Sequence, residues 1–330
     1  MPTAVGIDIA AKTCDMVIRT SGKPGKPISF KQTPAGHAAV IKQLKALKPQ
    51  SIVMEATGIY YLDLAVAIAE AGLPVSVINP KSFRHFAALK LTGTKTDGVD
   101  AALLAEYAER MAPRRWTPPR DLYLKLRDVG RQINRLTHSR TQAKNRLHAL
   151  TATRTTLALL IEDEREAIAV LDQRIDKLTR AALELIKPDE ALARHMKNLC
   201  AAKGVGQTTA IAVLAELMVL PCNLKAPQVS RYAGLDIRLK HSGSSVNCPA
   251  RLSKAGNAYL RGPLYMPAMS AVQHDPRAKA FYDALVARGK KKIQALCAVM
   301  RKYLTGMWAC IKNETAFDSS LLFSEEHIKA

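Results

Sequence analysis

A repeat of mainly apolar residues from Leu122 to Leu185 constrains this chain more than any other feature. Its members recur at alternating intervals of four and three residues, and no Gly or Pro occurs between positions 131 and 187. Such spacing predicts a coiled coil. One long helix and a folded-back hairpin both fit, with the Thr-rich segment 151–156 as the place for a bend. Because the apolar seam needs a partner helix, we expect the chain to self-associate.

The residues before the repeat predict strands and helices in alternation. Three strands come first, in AVGIDIA, CDMVIRT and ISFKQ, and the pattern then gives a helix, the strand SIVMEA, a helix and the strand PVSVIN. The two helices fall near 35–48 and 59–72, and a further helix opens near Asp97 and runs to about Arg110. This order is typical of a mixed sheet covered by helices. Pro113, Pro118 and Pro119 mark its boundary.

The residues after the repeat predict a helical region. Pro188 ends the coil, helices surround the turn KGVGQTT, and a polar loop spans 221–257. Further helices are expected near 258–272, 276–287 and 290–312, followed by a loose tail after Asn313. The fold class is therefore α/β plus all-α. We predict a mixed-sheet domain at 1–115, a basic coiled coil at 116–195 and a helical domain at 196–330.

The charge balance points to a nucleic-acid partner. Lys and Arg number 49 against 28 Asp and Glu, a net charge of +21. The most apolar stretch, 58–79, carries Asp63 and Glu70 and predicts no membrane span. The start MPTAVGIDIA has no basic segment before an apolar one, and the six cysteines show no zinc-ligand spacing. We expect a cytoplasmic, nucleoid-associated protein with reduced thiols.

Four acids stand out against this basic background. Asp8 and Glu55 each end a short apolar run, and Asp97 and Asp100 are one helical turn apart, so they share a helix face. Carboxylates that converge on Mg²⁺ ions are the usual means of neutralising a phosphodiester during cleavage. Taken singly, each acid is better explained as a helix cap, a dipole contact or a loop carboxylate. Taken together, they predict a metal site.

Cations concentrate in the first half of the coil. Residues 112–155 hold eleven Lys and Arg against two acids, whereas the second half mixes both signs. This asymmetry predicts phosphate contacts to DNA or RNA. The candidates are Arg114, Arg115, Arg127, Arg131, Arg135, Lys144 and Arg146. Gly204 and Gly206 fit the turn of a helix-hairpin-helix, which binds phosphate through backbone N–H groups, and equally a plain interhelical turn.

A second reactive element lies in the polar loop, in LKHSGSSVNCPARLSKAGNAYLR. Ser242 stands beside a glycine, and a serine so placed can bring its hydroxyl close to a phosphate. Four cations surround it in sequence and can neutralise the backbone there. They are Lys240, Arg251, Lys254 and Arg261. By themselves, the small residues favour a simple flexible turn.

Several motifs, taken in order, carry a family resemblance over nearly the whole chain. GIDIA, MEATGIYY, TKTDGVDA, GVGQTTA, HSG and LSKAGNAYLR resemble the DEDD insertion-sequence transposases of the IS110 type. The resemblance implies an N-terminal domain of the RuvC-like RNase H fold, in which Asp8, Glu55, Asp97 and Asp100 bind Mg²⁺. It also implies a C-terminal transposase domain, with the two domains meeting across protomers of a dimer or tetramer.

The same resemblance assigns the chemistry. Ser242 corresponds to a nucleophile that becomes covalently joined to DNA, and a bridge RNA guides the reaction. His241 stands where the family has Gln, and Ser244 and Ser245 are weaker alternatives to Ser242. The chain lacks GxxxxGK[ST], consistent with recombination that needs no nucleotide.

We therefore predict a Mg²⁺-dependent DNA recombinase or transposase. Two alternatives stay open at this point. One is a Holliday-junction resolvase or nuclease that uses water, which needs the acids but not the serine. The other is a non-catalytic nucleic-acid-binding scaffold.

Overall fold

The computed structural model describes residues 3–90, 97–242 and 246–325, and for 240–242 and 246–250 it describes the backbone only. The chain divides into two compact units, Met1–Pro118 and Pro119–Ala330. We describe each unit by itself. No helix among the described residues has both the length and the apolar character that a bilayer crossing requires.

The first unit is a mixed sheet with helices on both faces. Its strands are β1 (Thr3–Ile9), β2 (Thr13–Thr20), β3 (Lys23–Pro24), β4 (Ile28–Lys31), β5 (Ser51–Glu55) and β6 (Val75–Ile78). Its helices are α1 (Pro34–Leu47), α2 (Leu62–Glu70), α3 (Pro80–Leu89) and α4 (Asp97–Met111). The strand order is β3-β2-β1-β5-β6, and β4 also pairs with β2. The predicted mixed α/β class is confirmed.

Strand β1 is the centre of this sheet. It pairs antiparallel with β2 and parallel with β5, so it is buried on both edges. Successive residues of a strand face opposite sides, and β1 follows this rule. Val5, Ile7 and Ile9 pack with α1 and α2, whereas Ala4 packs on the side of α3 and α4. Asp8 has the parity of Ala4 and therefore lies on the α4 side.

The sequence prediction missed helix α3. Its start carries two local signals, since the Asn79 side chain accepts a hydrogen bond from the Lys81 backbone N–H at 2.8 Å and Pro80 occupies the first turn. Phe83 and Phe86 bury its inner face. The six residues 91–96 that follow α3 lie outside the described residues.

The second unit is mainly helical. Its helices are α5 (Asp121–Thr151), α6 (Ala158–Ile186), α7 (Glu190–Cys200), α8 (Gln207–Leu217), α9 (Ala226–Tyr232), α10 (Ala258–Arg261), α11 (Tyr265–His274), α12 (Pro276–Ala287), α13 (Lys292–Asn313) and α14 (Ser319–Leu322). A 3₁₀ turn, Gly262–Leu264, joins α10 to α11. Two strands, β7 (Ile237–Ser242) and β8 (Val246–Leu252), form an antiparallel hairpin. The helical class predicted for this part is confirmed.

The coil is a folded-back hairpin. Helix α5 ends at Thr151 and α6 begins at Ala158, with a turn at the Thr-rich segment. The pairing is antiparallel, because Arg140 bonds Asp172 at 2.6 Å while the later Arg146 bonds the earlier Glu164 at 2.5 Å. The seam thus has a partner helix within the chain, and by itself it no longer indicates a second copy.

The hairpin shares a core with the C-terminal helices. Leu126 and Ile133 of α5 and Ile175 of α6 belong to the same buried cluster as α8 and α13. The sequence predicts the coil, 116–195, and the helical domain, 196–330, as separate domains. Packing joins them because the α5 seam is wide enough to contact both α6 and α8.

Two expectations for the C-terminal part were wrong. The segment 221–257, expected as a polar loop, contains α9 and the β7–β8 hairpin. The tail after Asn313, expected to be loose, packs through Phe317 and Phe323, which are 8% and 1% exposed. These two aromatic rings contact Tyr303 of α13, with centroid distances of 5.0 and 6.4 Å.

Candidate catalytic and nucleic-acid sites

Asp8 is positioned by a close approach between β1 and α4. At Gly6, two residues earlier on the same strand face, an added Cβ would lie 2.1 Å from the Ala101 carbonyl oxygen and 2.2 Å from the Ala105 nitrogen. Only glycine allows the two backbones to pack so tightly. Asp8 therefore lies near the N-terminal end of α4, where Asp97 and Asp100 form the first turn.

The four predicted acids share one electrostatic environment. The pKa of Asp8 is raised from its ordinary value of 3.8 to about 6, by burial first and by the charge of Asp100 second. The charges of Asp97 and Glu55 raise it further, and a hydrogen bond from the Ile9 backbone opposes the rise. The structure thus brings Glu55, at the end of β5, and the two α4 acids within electrostatic reach of Asp8.

The acids surround Asp8 without forming a finished cage. Among the described residues, no three His, Cys, Asp or Glu side chains are arranged to hold one ion. Glu55 already accepts a hydrogen bond from the Thr57 hydroxyl at 3.0 Å, and Asp97 is exposed. Mg²⁺ usually takes one or two protein carboxylates together with waters and substrate phosphate. These carboxylates therefore fit a divalent cation whose coordination shell is completed by waters and a substrate phosphate.

The structure adds an acid that the sequence analysis did not single out. Asp15 of β2 lies directly opposite Asp8 in the antiparallel ladder. Directly opposed residues project to the same face of the sheet, so Asp15 belongs to the α4 side as well. The signal was available, because pairing AVGIDIA with CDMVIRT through a tight turn sets this register.

Ser242 ends strand β7, opposite Val246 of β8. It therefore borders the three-residue connection 243–245, which contains Ser244 and Ser245 and lies outside the described residues. The side chains of Lys240, His241 and Ser242 also lie outside the described part of the chain. The backbone therefore places Ser242 at the end of a strand, next to the connection between the two strands of the hairpin.

The base of this hairpin is joined tightly to α9. At Gly256, an added Cβ would lie 2.4 Å from the Gly234 nitrogen and the Tyr232 carbonyl oxygen. The Ser253 hydroxyl donates to the Asp236 carboxylate, and the Ser253 N–H donates to the Asp236 carbonyl at 2.8 Å. Ser253 and Gly256, in the segment SKAG, thus fix where the hairpin leaves the helical unit.

Three of the cations predicted near the serine have distinct surroundings. Lys254 is exposed and has a left-handed backbone with φ of 48°. Arg261 donates to the carbonyl oxygens of Ala233 at 2.8 Å and Lys254 at 3.4 Å, so it braces the hairpin base. Arg251 is exposed near the end of β8.

Arg131 does not fit its predicted role. Its guanidinium makes a two-pronged contact with Glu216 of α8, with Nε–Oε1 at 2.5 Å and Nη2–Oε2 at 3.0 Å. The Glu216 side chain is 1% exposed, and it also accepts from the Asn257 amide at 2.6 Å. Because a buried carboxylate needs this cation, Arg131 serves the helical core and is not an open phosphate contact.

The other cations predicted to contact phosphate are divided between those with a protein partner and those that are exposed. Arg135 donates to the Tyr259 hydroxyl at 3.0 Å, and the exposed Arg146 pairs with Glu164. The Arg127 Nε is buried and has no hydrogen-bond partner among the described residues. Arg114, Arg115 and Lys144 are exposed, Arg114 and Arg115 in the first unit and Lys144 on α5.

The predicted glycine turn connects α7 to α8. Gly204 has φ of +79°, and an added Cβ would lie 2.6 Å from the Ser270 Cβ. Gly206 is the residue that precedes α8, and a Cβ there would meet nothing within 4 Å. Gly204 is thus required by the turn and by its packing on α11, whereas Gly206 keeps the helix start open.

Sequence comparison gives two matches to family models, in chain order. Residues 5–155 match the transposase domain DEDD_Tnp_IS110, and residues 196–283 match the domain described as transposase IS116/IS110/IS902 family. The first match contains all four predicted acids, and the second contains Ser242.

Two relatives match over nearly their full length, and a third matches over part of it. The pilin gene-inverting proteins of Moraxella lacunata and Moraxella bovis are each 28% identical to this chain, covering 97% of it and 98% of their own length. An uncharacterized 43.6 kDa protein of insertion element IS110 from Streptomyces coelicolor is 29% identical over 118 residues, which is 36% of this chain and 29% of that protein.

Structural comparison returns RuvC from Thermus thermophilus. The complex of T. thermophilus RuvC with a Holliday junction substrate aligns with 35% of this chain and 99% of its own, at 17% identity and a TM-score of 0.28. A second structure of Thermus thermophilus RuvC aligns with 34% of this chain and 98% of its own, at 18% identity and a TM-score of 0.26. These scores are too low for chemistry to be transferred.

Proposed function

This chain belongs to the IS110 family of transposases, and we propose that it is a Mg²⁺-dependent DNA recombinase that cleaves and rejoins strands through a phosphoserine intermediate at Ser242. The observation that carries the proposal is the gathering of Asp97, Asp100 and Glu55 around Asp8, in a chain whose other unit presents Ser242 beside a hairpin turn. An acidic cluster within a chain of net charge +21 is suited to phosphodiester chemistry.

The acids would hold the metal. Asp8, Glu55, Asp97 and Asp100 supply the oxygen ligands that Mg²⁺ prefers, and bound Mg²⁺ would neutralise charge on the phosphate that reacts. Burial first, and then repulsion from the neighbouring acids, raise the pKa of Asp8, and a bound cation would offset both costs.

The serine would keep the bond energy of the DNA. The Ser242 hydroxyl attacks the phosphorus, the P–O bond to the departing strand breaks, and the hydroxyl proton passes to a base or to solvent. The released strand end carries the hydroxyl. In the reverse sense, a hydroxyl of another strand attacks the phosphoserine ester and frees Ser242. Each step exchanges one P–O bond for another, so no nucleotide is consumed.

This scheme suits the two Moraxella relatives, whose names state that they invert a pilin gene. Inversion requires every broken strand to be rejoined, which a water-using nuclease does not achieve. Lys144 and the other exposed cations of α5 are candidates for phosphate contact. A bridge RNA as guide, and a composite site assembled from acids of one protomer and Ser242 of another, belong to the same proposal.

Trapping of a covalent adduct tests the serine. Wild-type protein should remain attached to a labelled DNA substrate on a denaturing gel in Mg²⁺, and Ser242→Ala should give no adduct. Ser244→Ala and Ser245→Ala are matched controls that should keep it. An adduct that persists in Ser242→Ala would remove this residue from the mechanism. Free hydrolysed ends with full activity in that variant would indicate the water-using nuclease instead.

Substitution of the acids tests the metal site. Asp8→Asn and Glu55→Gln should each abolish adduct formation while leaving DNA binding in EDTA within a few-fold of wild type. Unchanged recombination in cells with both acids replaced would favour a non-catalytic scaffold. Sequencing of RNA that copurifies with the protein tests guidance, and a discrete transcript encoded beside its gene is the expected result.

A further inference from the structure

The second unit contains a cavity of about 350 Å³ that the proposed chemistry does not use. It lies between the base of the β7–β8 hairpin and the start of α13. Its wall includes Leu235, Leu252, Cys297 and Ala298. At its mouth, Ile237 and Ile293 are 58% and 53% exposed, so apolar surface continues outward to solvent. A cavity of this size falls in the range of small-molecule sites.

The rim of this cavity is cationic. Arg251, Lys254, Lys290 and Arg301 line it, and no Asp or Glu does. Within the described part of the chain, none of these four side chains forms an ion pair with an acid. Their charge is therefore not neutralised locally. An apolar interior under a cationic rim is suited to a ligand with an apolar part next to a negative charge.

One polar side chain in the wall can read such a ligand. Gln294 lines the cavity, and its side-chain oxygen accepts a hydrogen bond from the Lys291 backbone N–H at 3.0 Å. This bond orients the amide. Gln side chains are common partners for the edges of nucleobases.

We infer that this cavity receives the base of one unpaired nucleotide, with the adjoining phosphates held by the rim cations. The inference rests on the proposed function, because strand exchange exposes unpaired nucleotides. The rim continues into β8 through Arg251, and Ile237 at the mouth begins the strand that ends at Ser242. Five residues of extended strand span roughly 16 Å, so the cavity mouth and the backbone of Ser242 are about that far apart along β7.

Filling the cavity tests the inference. Ala298→Phe places a ring where the base is expected. The probe is a DNA duplex with one unpaired 2-aminopurine, whose fluorescence reports its environment, and the reference is the same duplex fully paired. We expect Ala298→Phe to weaken binding of the unpaired probe roughly tenfold and to abolish its fluorescence change. Affinity for the paired duplex should stay within twofold, which also shows that the variant is folded.

Removing the rim charge is an independent test. Lys290→Ala with Arg301→Ala should weaken the unpaired probe more than the paired duplex. The control is Lys312→Ala, which removes an exposed cation at the far end of α13, the helix that contains Arg301. This variant should not change the ratio of the affinities for the unpaired and the paired probe. Equal loss for both probes in the rim variant would overturn the inference, because it would indicate a general phosphate contact.

Alkylation of Cys297 reports occupancy without any variant. Cys297 lines the cavity and is half-buried, whereas Cys222 is exposed and serves as the internal reference. The unpaired oligonucleotide should slow alkylation of Cys297 and leave that of Cys222 unchanged. Protection by polyglutamate or by anionic phospholipid vesicles, without protection by the oligonucleotide, would overturn the inference. None of these measurements needs cleavage. If the wild-type protein formed no covalent adduct through Ser242, the proposed function would be refuted, and the result for this cavity would still stand.

Discussion

The buried ion pair between Arg131 and Glu216 provides the sharpest prediction for stability. Arg131→Gln keeps much of the side-chain length but leaves the Glu216 carboxylate, which is 1% exposed, with Asn257 as its remaining partner. Loss of one member of a buried pair costs about 3–5 kcal/mol. Because the Arg131 side chain is 27% exposed, part of this pair is screened by water, and we expect about 2–3 kcal/mol.

The two single variants should lower the free energy of unfolding by different amounts. Glu216→Gln leaves a guanidinium that water can reach from its exposed side, so it should destabilise the unit less than Arg131→Gln does. The double variant removes both charges and should be more stable than the sum of the singles predicts. A positive coupling of about 1–2 kcal/mol is the expected outcome of the cycle.

A second Arg–Glu pair on the same helix is the matched comparison. Arg146 and Glu164 have the same chemistry and an equal shortest distance of 2.5 Å, but the Arg146 side chain is 57% exposed. Pairs with an exposed member contribute less, since water competes for that charge, here Arg146, while the Glu164 side chain is 14% exposed. The coupling measured for this pair should be several-fold smaller.

Tryptophan fluorescence isolates the relevant unit. The chain has two tryptophans, Trp116 in the first unit and Trp308 in the second. Trp308 is 3% exposed and donates to the Leu224 carbonyl at 3.0 Å, so its emission should change on unfolding. Urea titrations in a Trp116→Phe background therefore report the second unit alone. Equal couplings for the buried and exposed pairs would refute the argument from burial.

Three further predictions concern the first unit and the thiols. Burial and neighbouring acids raise the pKa of Asp8 from 3.8 to about 6, so the protonated form stabilises the fold and this stability is lost as pH rises through 6. The loss in free energy of unfolding is at most about 3 kcal/mol. In urea titrations in EDTA between pH 4 and 7, Asp8→Asn should show a smaller loss than the wild type. Gly6→Ala should cost about 3 kcal/mol by the same assay, whereas Gly262→Ala, with nothing within 4 Å of the new Cβ, should be neutral. Burial raises the pKa of Cys14 to about 11, so mass spectrometry at pH 8 should find Cys222 alkylated and Cys14 intact.

Local sequence patterns predicted what depends on near neighbours. The apolar runs of β1 and β5 gave their strands, and Asp97 gave the start of α4. The range 276–287 matched α12, because Pro276 at its first turn and the Asp275 cap are local signals. The convergence of the acids followed from parallel strands that end at one edge of a sheet.

Pairings between distant residues were not predictable in this way. The partner of Arg131 lies 85 residues away, so its charge looked open in the sequence. The four-three spacing continues across 151–156 although the chain turns there between α5 and α6, so the spacing alone did not distinguish a turn from a continuous helix. The strands of the β7–β8 hairpin do alternate apolar and polar residues, in IRLK and VNCPARL, but the Ser- and Gly-rich segment HSGSS between them favoured a loop, and Ile237 and Leu239 are exposed.

The glycine contact between β1 and α4 has a consequence for how the acidic cluster responds to change. Its spacing is set by two main chains that touch, and not by side chains that could repack. Substitutions in the surrounding core can lower the melting temperature without moving Asp8 relative to Asp100. The cluster is thereby insulated from drift in its own scaffold, and a lineage could exchange much of this core before the spacing of its carboxylates changed.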